Sequence, residues 1–216
     1  MARSTKGMSN SIVLYGPAAS SYVRTARMVA IEKRLPHTLE SIDFGSDTHQ
    51  ALHPWKRVPI MRHGDTTLFE TSAIVRYLEE IGDGPSLVPT TPVARAAMEQ
   101  WISAINCYLY ESLIKSYALK YIVPMQAKRE PDRDAIRAAV PGMERGLAQL
   151  DAAYANRTWI AGNALSLADL FVAPIVATVG MFPEGKQALG ATKHLANVLG
   201  QLAQRESFGT VHAGLA

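Results

Sequence analysis

The chain has 216 residues, a formal net charge of +3 and a single cysteine, Cys107. That length can bury one large core or two small ones. One cysteine excludes an intrachain disulfide framework, a Cys-x-x-Cys redox pair and a Cys-rich zinc site, and the scattered Lys and Arg form no basic stripe or tail of the kind that binds nucleic acid.

Residues 1–10, MARSTKGMSN, read as a polar N-terminal tail, because no apolar run with a small-residue cleavage site follows the basic residues. Ile12 to Tyr15 are apolar, β-branched or aromatic and stop at Gly16-Pro17, the pattern of a short buried strand ended by turn chemistry. From Ser21, apolar Val23, Ala26, Val29, Ala30 and Ile31 recur at helical spacing, with Arg24, Arg27, Glu32, Lys33 and Arg34 between them, until Pro36 ends the helix. HTLESIDF then alternates as a half-buried strand does, and a polar connection rich in Gly, Ser, Asp and His follows. VPIMRH, the turn GD and TTLFE predict a hairpin, and Ile74, Val75, Leu78 and Ile81 predict a helix over 71–81.

GDGPSLVPTTP is the one stretch dense enough in Gly and Pro to be a linker, and we place it at 83–91 between a first domain, 11–82, and a second, 92–216. The second domain shows long helical patterns over 92–121 and 132–154 and scarcely any strand signal. Its next helix starts at LSLADL, where Ser166 and Asp169 have capping-box spacing and Leu165 lies ready to staple against Leu170. LFVAPIVATVGMF is too short to span a bilayer and follows Asp169, so it reads as a buried helix with no membrane role. The fold class is therefore α/β followed by all-α.

The ordered strings LYGPAASSYVR, VPIM, LFETSAI with YLEE, and LSLAD resemble the soluble glutathione transferase family over about residues 12–205. Within it the chain looks most like the serine-type branch related to the phi and zeta classes. It lacks the Ser-Ser-Cys run of a zeta isomerase, with Tyr22 in place of that Cys, and it lacks the cysteine of the omega and beta classes.

The resemblance implies a thioredoxin-like N-terminal domain, an all-helical domain that binds electrophiles, and a cytoplasmic homodimer that binds glutathione and no metal, acting in detoxification. Register against LYG makes Ser20 the catalytic hydroxyl that holds the glutathione sulfur as thiolate, with Ser21 the alternative. Val58 would pair with the peptide backbone of glutathione across a cis bond to Pro59, and Glu70 and Thr71 would bind its γ-glutamyl end. Trp55 would anchor the dimer, and Tyr108, Tyr117 and Tyr121 would line the electrophile pocket.

Each expectation has a plain physical counterpart. Glutathione carries two carboxylates, an ammonium and a thiol, and a helix start offers unpaired N–H groups and a positive dipole end to its anions. Glu70 and Thr71 would equally serve as ordinary helix caps, and aromatics on a helix are more often core than ligand contacts. Where the family has Gln before Val-Pro, this chain has Lys56-Arg57, and the segment GSDTHQALH has no lysine; Arg57 is the candidate replacement cation for a glutathione carboxylate. His49 and His53 stand at i, i+4, yet no acidic partner is placed to complete a metal set. The competing readings are a non-catalytic partner-binding module of the same fold and a glutathione-dependent isomerase, lyase or peroxidase.

Overall fold

The computed structural model describes residues 11–213, so the tail expected over 1–10 lies outside the described residues. The chain divides into two compact units, one ending at Pro85 and the other starting at Ser86.

The first unit runs β1 (Ile12–Tyr15), α1 (Ser21–Glu32), β2 (His37–Glu40), α2 (Asp47–Leu52), β3 (Ile60–His63), β4 (Thr66–Phe69) and α3 (Thr71–Ile81). Its sheet has the order β2-β1-β3-β4, with β1 and β2 parallel and β3 antiparallel to both its neighbours. A parallel pair needs a crossover, which α1 supplies. Antiparallel β3 and β4 need only the Gly64-Asp65 turn, and Gly64 takes the left-handed backbone, φ 57°, that such a turn favours. Helices α1 and α3 pack on each other, and their Val23, Ala26, Val29, Ile74, Val75 and Leu78 are fully buried. This apolar contact, with Leu14, Ile60 and Met61 of the sheet, is the core of the unit.

Two local expectations change. The strand expected over 37–44 ends at Glu40. Residues 47–52, expected as a polar connection, form α2, and Ser46 caps it by accepting the His49 N–H at 3.1 Å. Arg24 and Lys33, the charged residues set between apolar positions of the α1 segment, are 1 % and 3 % exposed.

Lys33 tolerates burial because its charge is matched: Nζ lies 3.2 Å from a Glu79 carboxylate oxygen and donates to the carbonyls of Gly84 (2.9 Å) and Pro85 (3.2 Å). The chain passes so close here that a Cβ on Gly84 would lie 2.0 Å from the Glu32 carbonyl oxygen. The glycine of the expected linker thus serves close packing, and Gly84-Pro85 is tied to α1 by the Lys33 ammonium.

The second unit contains α4 (Pro92–Ala104), two π-helical stretches (Ile105–Leu109 and Glu111–Ala118), α5 (Leu119–Gln126), α6 (Arg133–Tyr154), α7 (Leu167–Val179), α8 (Pro183–Gly190), α9 (His194–Ala203) and α10 (Glu206–His212). The helix expected over 92–121 therefore continues to Gln126 and widens in its middle. Pro at the first helical position and Thr91, whose Oγ1 accepts the Ala94 N–H, start it. Of the thirteen residues of α7, only Ala177 is not buried, which makes it the central helix of this unit. It starts with the expected capping box of Ser166 and Asp169. Among the described residues, no helix is long and apolar enough to cross a membrane.

Candidate functional site

The register of the sheet brings the sequence-predicted residues of the first unit to one place. Tyr15 pairs with Ile60, and Ile60 pairs with Phe69. The residues just outside that row are therefore neighbours: Gly16 to Ser20 leaving β1, Val58-Pro59 entering β3, and Glu70-Thr71 leaving β4. Helices α1 and α3 both begin there, so two sets of unpaired backbone N–H groups face the same end of the sheet. Gly16, at φ 139°, lets the first segment approach the second: a Cβ on it would lie 2.6 Å from a Val23 methyl and 3.0 Å from Val58 Cβ. The Val58–Pro59 peptide is cis.

Ser20 is the N-cap of α1, half-buried, with extended backbone (φ −65°, ψ 125°). Its Oγ accepts the Val23 N–H at 3.5 Å. That bond uses a lone pair and leaves the hydroxyl proton to be donated elsewhere. Ser21 is the first helical residue and 6 % exposed, and its carbonyl accepts the Thr25 hydroxyl. Arg24 lies one turn further on. Its guanidinium donates to the Ala19 carbonyl at 3.4 Å, and burial lowers its pKa to about 10, so the guanidinium stays a cation at neutral pH close to the Ser20 turn. Sequence reasoning missed Arg24 because a cation between apolar helical residues ordinarily marks the solvent face.

Glu70 is the N-cap of α3 and takes φ 67°, a backbone that a non-glycine residue rarely adopts and that costs on the order of 1–3 kcal/mol. Its carboxylate makes no capping hydrogen bond and is exposed, so the plain helix-cap role does not account for it. Thr71 is 7 % exposed at the first helical position. Arg57 is exposed, while its carbonyl faces the buried ring of His49 at 3.0 Å.

Trp55 stands 67 % exposed, its ring set against Phe69 and His53. His53 is buried, and its Nδ1 accepts the Trp55 N–H at 3.3 Å. Burial is the main cause lowering its pKa, opposed by Glu70 and assisted by Arg57, which favours the neutral imidazole. The two histidines noted at i, i+4 thus both bond to backbone groups, and among the described residues no three His, Cys, Asp or Glu side chains gather as a metal set. Ser46 ahead of Asp47 was the capping signal that would have revealed their helix.

In the helical unit, Tyr108 is 73 % exposed, whereas Tyr117 and Tyr121 are 0 % and 5 % exposed. Both buried hydroxyls donate to one Glu184 carboxylate oxygen, at 3.1 and 2.6 Å, and the Tyr117 oxygen accepts the Gly185 N–H at 2.8 Å. The Tyr121 ring stacks on Phe182 at 4.4 Å. These two rings thus tie the long helix to the start of α8, and of the three tyrosines only Tyr108 presents an open face. It borders a mostly apolar cavity of about 510 Å³ lined also by Trp101, Ala104, Leu109, Gln149, Ala152 and Ala153.

Residues 14–86 match the family model of the glutathione S-transferase N-terminal domain and residues 113–206 that of the C-terminal domain. A stringent starvation protein A homolog of Haemophilus ducreyi is 26 % identical over 206 residues, spanning 94 % of this chain and 90 % of its own. A glutathione S-transferase of Pseudomonas putida is 27 % identical over 208 residues, spanning 86 % and 90 %. Among solved structures, glutathione S-transferase I from mais in complex with an atrazine glutathione conjugate superposes with a TM-score of 0.84 at 22 % identity, over 94 % of this chain and 97 % of that one. The first unit has the thioredoxin-like fold and the second is the helical domain of the same architecture. On these matches, and on the sheet end that gathers Ser20, Val58, Glu70 and Thr71, the chain belongs to the soluble glutathione S-transferase family.

Proposed function

We propose that the chain is a glutathione transferase in which the thiolate of bound glutathione attacks a small electrophile. The observation that carries this reading is the convergence at one end of the sheet of a hydroxyl-bearing turn, two helix starts and a carboxylate unused in capping. Ser20 donates its hydroxyl proton to the sulfur, and the α1 start with Arg24 adds positive potential that favours the anion. The Val58 backbone pairs with the peptide backbone of glutathione beside Pro59. Glu70 takes the γ-glutamyl ammonium, and Thr71 with its N–H takes the adjoining carboxylate. Arg57 supplies the cation for the other carboxylate. Tyr108, Tyr117 and Tyr121 remain the candidates for electrophile contact, with Tyr108 the one whose ring is open. The same reading has the enzyme act in cytoplasmic detoxification.

Calorimetric titration with glutathione, followed by thioether formation with a panel of alkyl and aryl electrophiles, tests the assignment. Binding with turnover is expected; absence of binding overturns it. Binding without turnover would favour a partner-binding module of this fold, a reading supported by the stringent starvation protein A homolog, which matches at about the same identity as the transferase.

We further propose a homodimer anchored by Trp55, since an indole two-thirds exposed beside apolar Phe69 is costly to leave in water. Large aromatics of this kind carry much of an interface's energy. Trp55→Ala is expected to weaken the dimer roughly tenfold or more, about 1.4 kcal/mol, in sedimentation at low concentration. A dimer of unchanged affinity would remove Trp55 from the interface.

A further inference from the structure

We infer that His49 is a positioning residue for the glutathione-binding edge, acting through the Arg57–Val58 peptide; this rests on the proposed glutathione site. The ring is fully buried and bridges two backbone groups. The Gly45 N–H donates to Nδ1 at 3.2 Å, and Nε2 lies 3.0 Å from the Arg57 carbonyl oxygen. A nitrogen that accepts an N–H bears no proton, so the ring proton sits on Nε2 and is donated to Arg57.

The surroundings lock the ring in this role. The Phe44 ring meets it edge-on at 5.3 Å, and its own backbone is fixed at both ends, its N–H to Ser46 Oγ and its carbonyl to the His53 N–H at 2.9 Å. Lys56 ties the same loop from outside: its Nζ donates to the Gly45 carbonyl at 3.1 Å. Two of these bonds, from His49 to the Arg57 carbonyl and from Lys56 to the Gly45 carbonyl, reach the segment that delivers Val58 to β3.

The consequence follows from peptide geometry. The Arg57–Val58 peptide is trans, so its C=O and N–H point to opposite sides of one rigid plane. Anchoring the carbonyl on the buried imidazole therefore turns the Val58 N–H away from the interior, ready to donate to a ligand. In this chain the anchor is a side chain of α2, a helix of six residues. His49 touches no reacting atom; it sets the direction of one that binds.

Two near-isosteric variants separate the two ring nitrogens. The amide nitrogen of His49→Gln reaches the place of Nε2 and keeps the donor to Arg57. The amide oxygen of His49→Asn reaches the place of Nδ1 and keeps only the acceptor for Gly45. Glutathione binding is expected to fall about tenfold in His49→Asn, the size of one well-oriented hydrogen bond, and to stay within about threefold in His49→Gln, with KM following and kcat held. A merely structural histidine would weaken both variants alike, and equal affinities, high or low, overturn the proposal.

Should the wild-type protein bind no glutathione, the transferase reading fails, and the positioning role is read on the Val58 amide resonance. Displacement in His49→Asn but not in His49→Gln supports it, and equal displacement overturns it. In the wild type, imidazole nitrogen shifts must show the proton on Nε2; a proton on Nδ1 overturns the proposal without any variant.

Discussion

Asp169→Asn is expected to cost about 3–5 kcal/mol of stability and to lower the melting temperature by about 6–20 °C. The carboxylate is completely buried and accepts four bonds. Oδ1 takes the Tyr154 hydroxyl at 3.0 Å and the Ile160 N–H at 2.9 Å; Oδ2 takes the Ser166 N–H at 2.9 Å and the Ser166 hydroxyl at 2.7 Å. Burial alone raises the Asp169 carboxyl above its ordinary value, and the four donors oppose that shift by favouring the ionised form. An asparagine of the same shape must turn its NH2 toward one pair of donors. At least one backbone N–H then faces another N–H in the interior, each such orphan costing about 1–3 kcal/mol. The lost charge weakens the remaining bonds, which were charge-assisted. Tyr154→Phe, which removes one donor and leaves three, is the control and should cost about 1 kcal/mol. Equal melting temperatures for wild type and Asp169→Asn, followed by circular dichroism, would show that the network does not hold α7 in place.

The fold was legible wherever stability is local. Strand β1, the β3–β4 hairpin and α3 announced themselves because apolar period and turn residues lie within a few positions of one another, and the capping box at Ser166 did so for the same reason. What escaped was set by partners far along the chain. Arg24 and Lys33 look like surface cations, and Lys33 is buried only because Glu79, Gly84 and Pro85 come back to it from more than forty residues away. Helix α2 carries no apolar stripe to read, since its one buried side chain is the imidazole of His49. The two π-helical stretches leave no periodic mark either: Leu109, Leu113, Ile114 and Tyr117 are spaced as an ordinary helix would space them. The candidate site residues Ser20, Val58, Glu70 and Thr71 are named by short strings alone. The Tyr15–Ile60–Phe69 row that makes those residues neighbours, and the backbone of Glu70 that leaves its carboxylate out of the cap, exist only in three dimensions.

Ser20→Ala is expected to raise the pKa of bound glutathione by about 1–2 units and to slow conjugation at neutral pH by about 10–100-fold. A free thiol with a pKa near 8.5 is only a few per cent ionised at neutral pH, and lowering that value by about two units requires roughly 2.7 kcal/mol of preference for the thiolate. A charge-assisted bond from one hydroxyl supplies about 1.5–3 kcal/mol, and the α1 start adds several tenths to about 1 kcal/mol. Toward their upper ends these two sources reach that figure, so the proposed mechanism needs no base: the hydroxyl would act as a donor throughout. Ser20 also caps α1, and the two roles are compatible because capping consumes a lone pair and activation consumes the proton. Its bond to the Val23 N–H, at 3.5 Å, is at the long limit of a hydrogen bond, so losing it should cost no more than about 1 kcal/mol. Ser21 sits inside the first turn, 6 % exposed, with no extended-backbone cap geometry of its own. Ser21→Ala should therefore leave the thiol where it is. Thiolate absorbance of bound glutathione, titrated in both variants beside melting curves, separates the roles. A raised thiol pKa in Ser20→Ala alone, with a melting temperature lowered by no more than about 4 °C, carries the assignment. A rise in Ser21→Ala alone transfers it to the neighbouring hydroxyl, and an unmoved pKa in both variants removes the serine turn from the chemistry and leaves it as a cap.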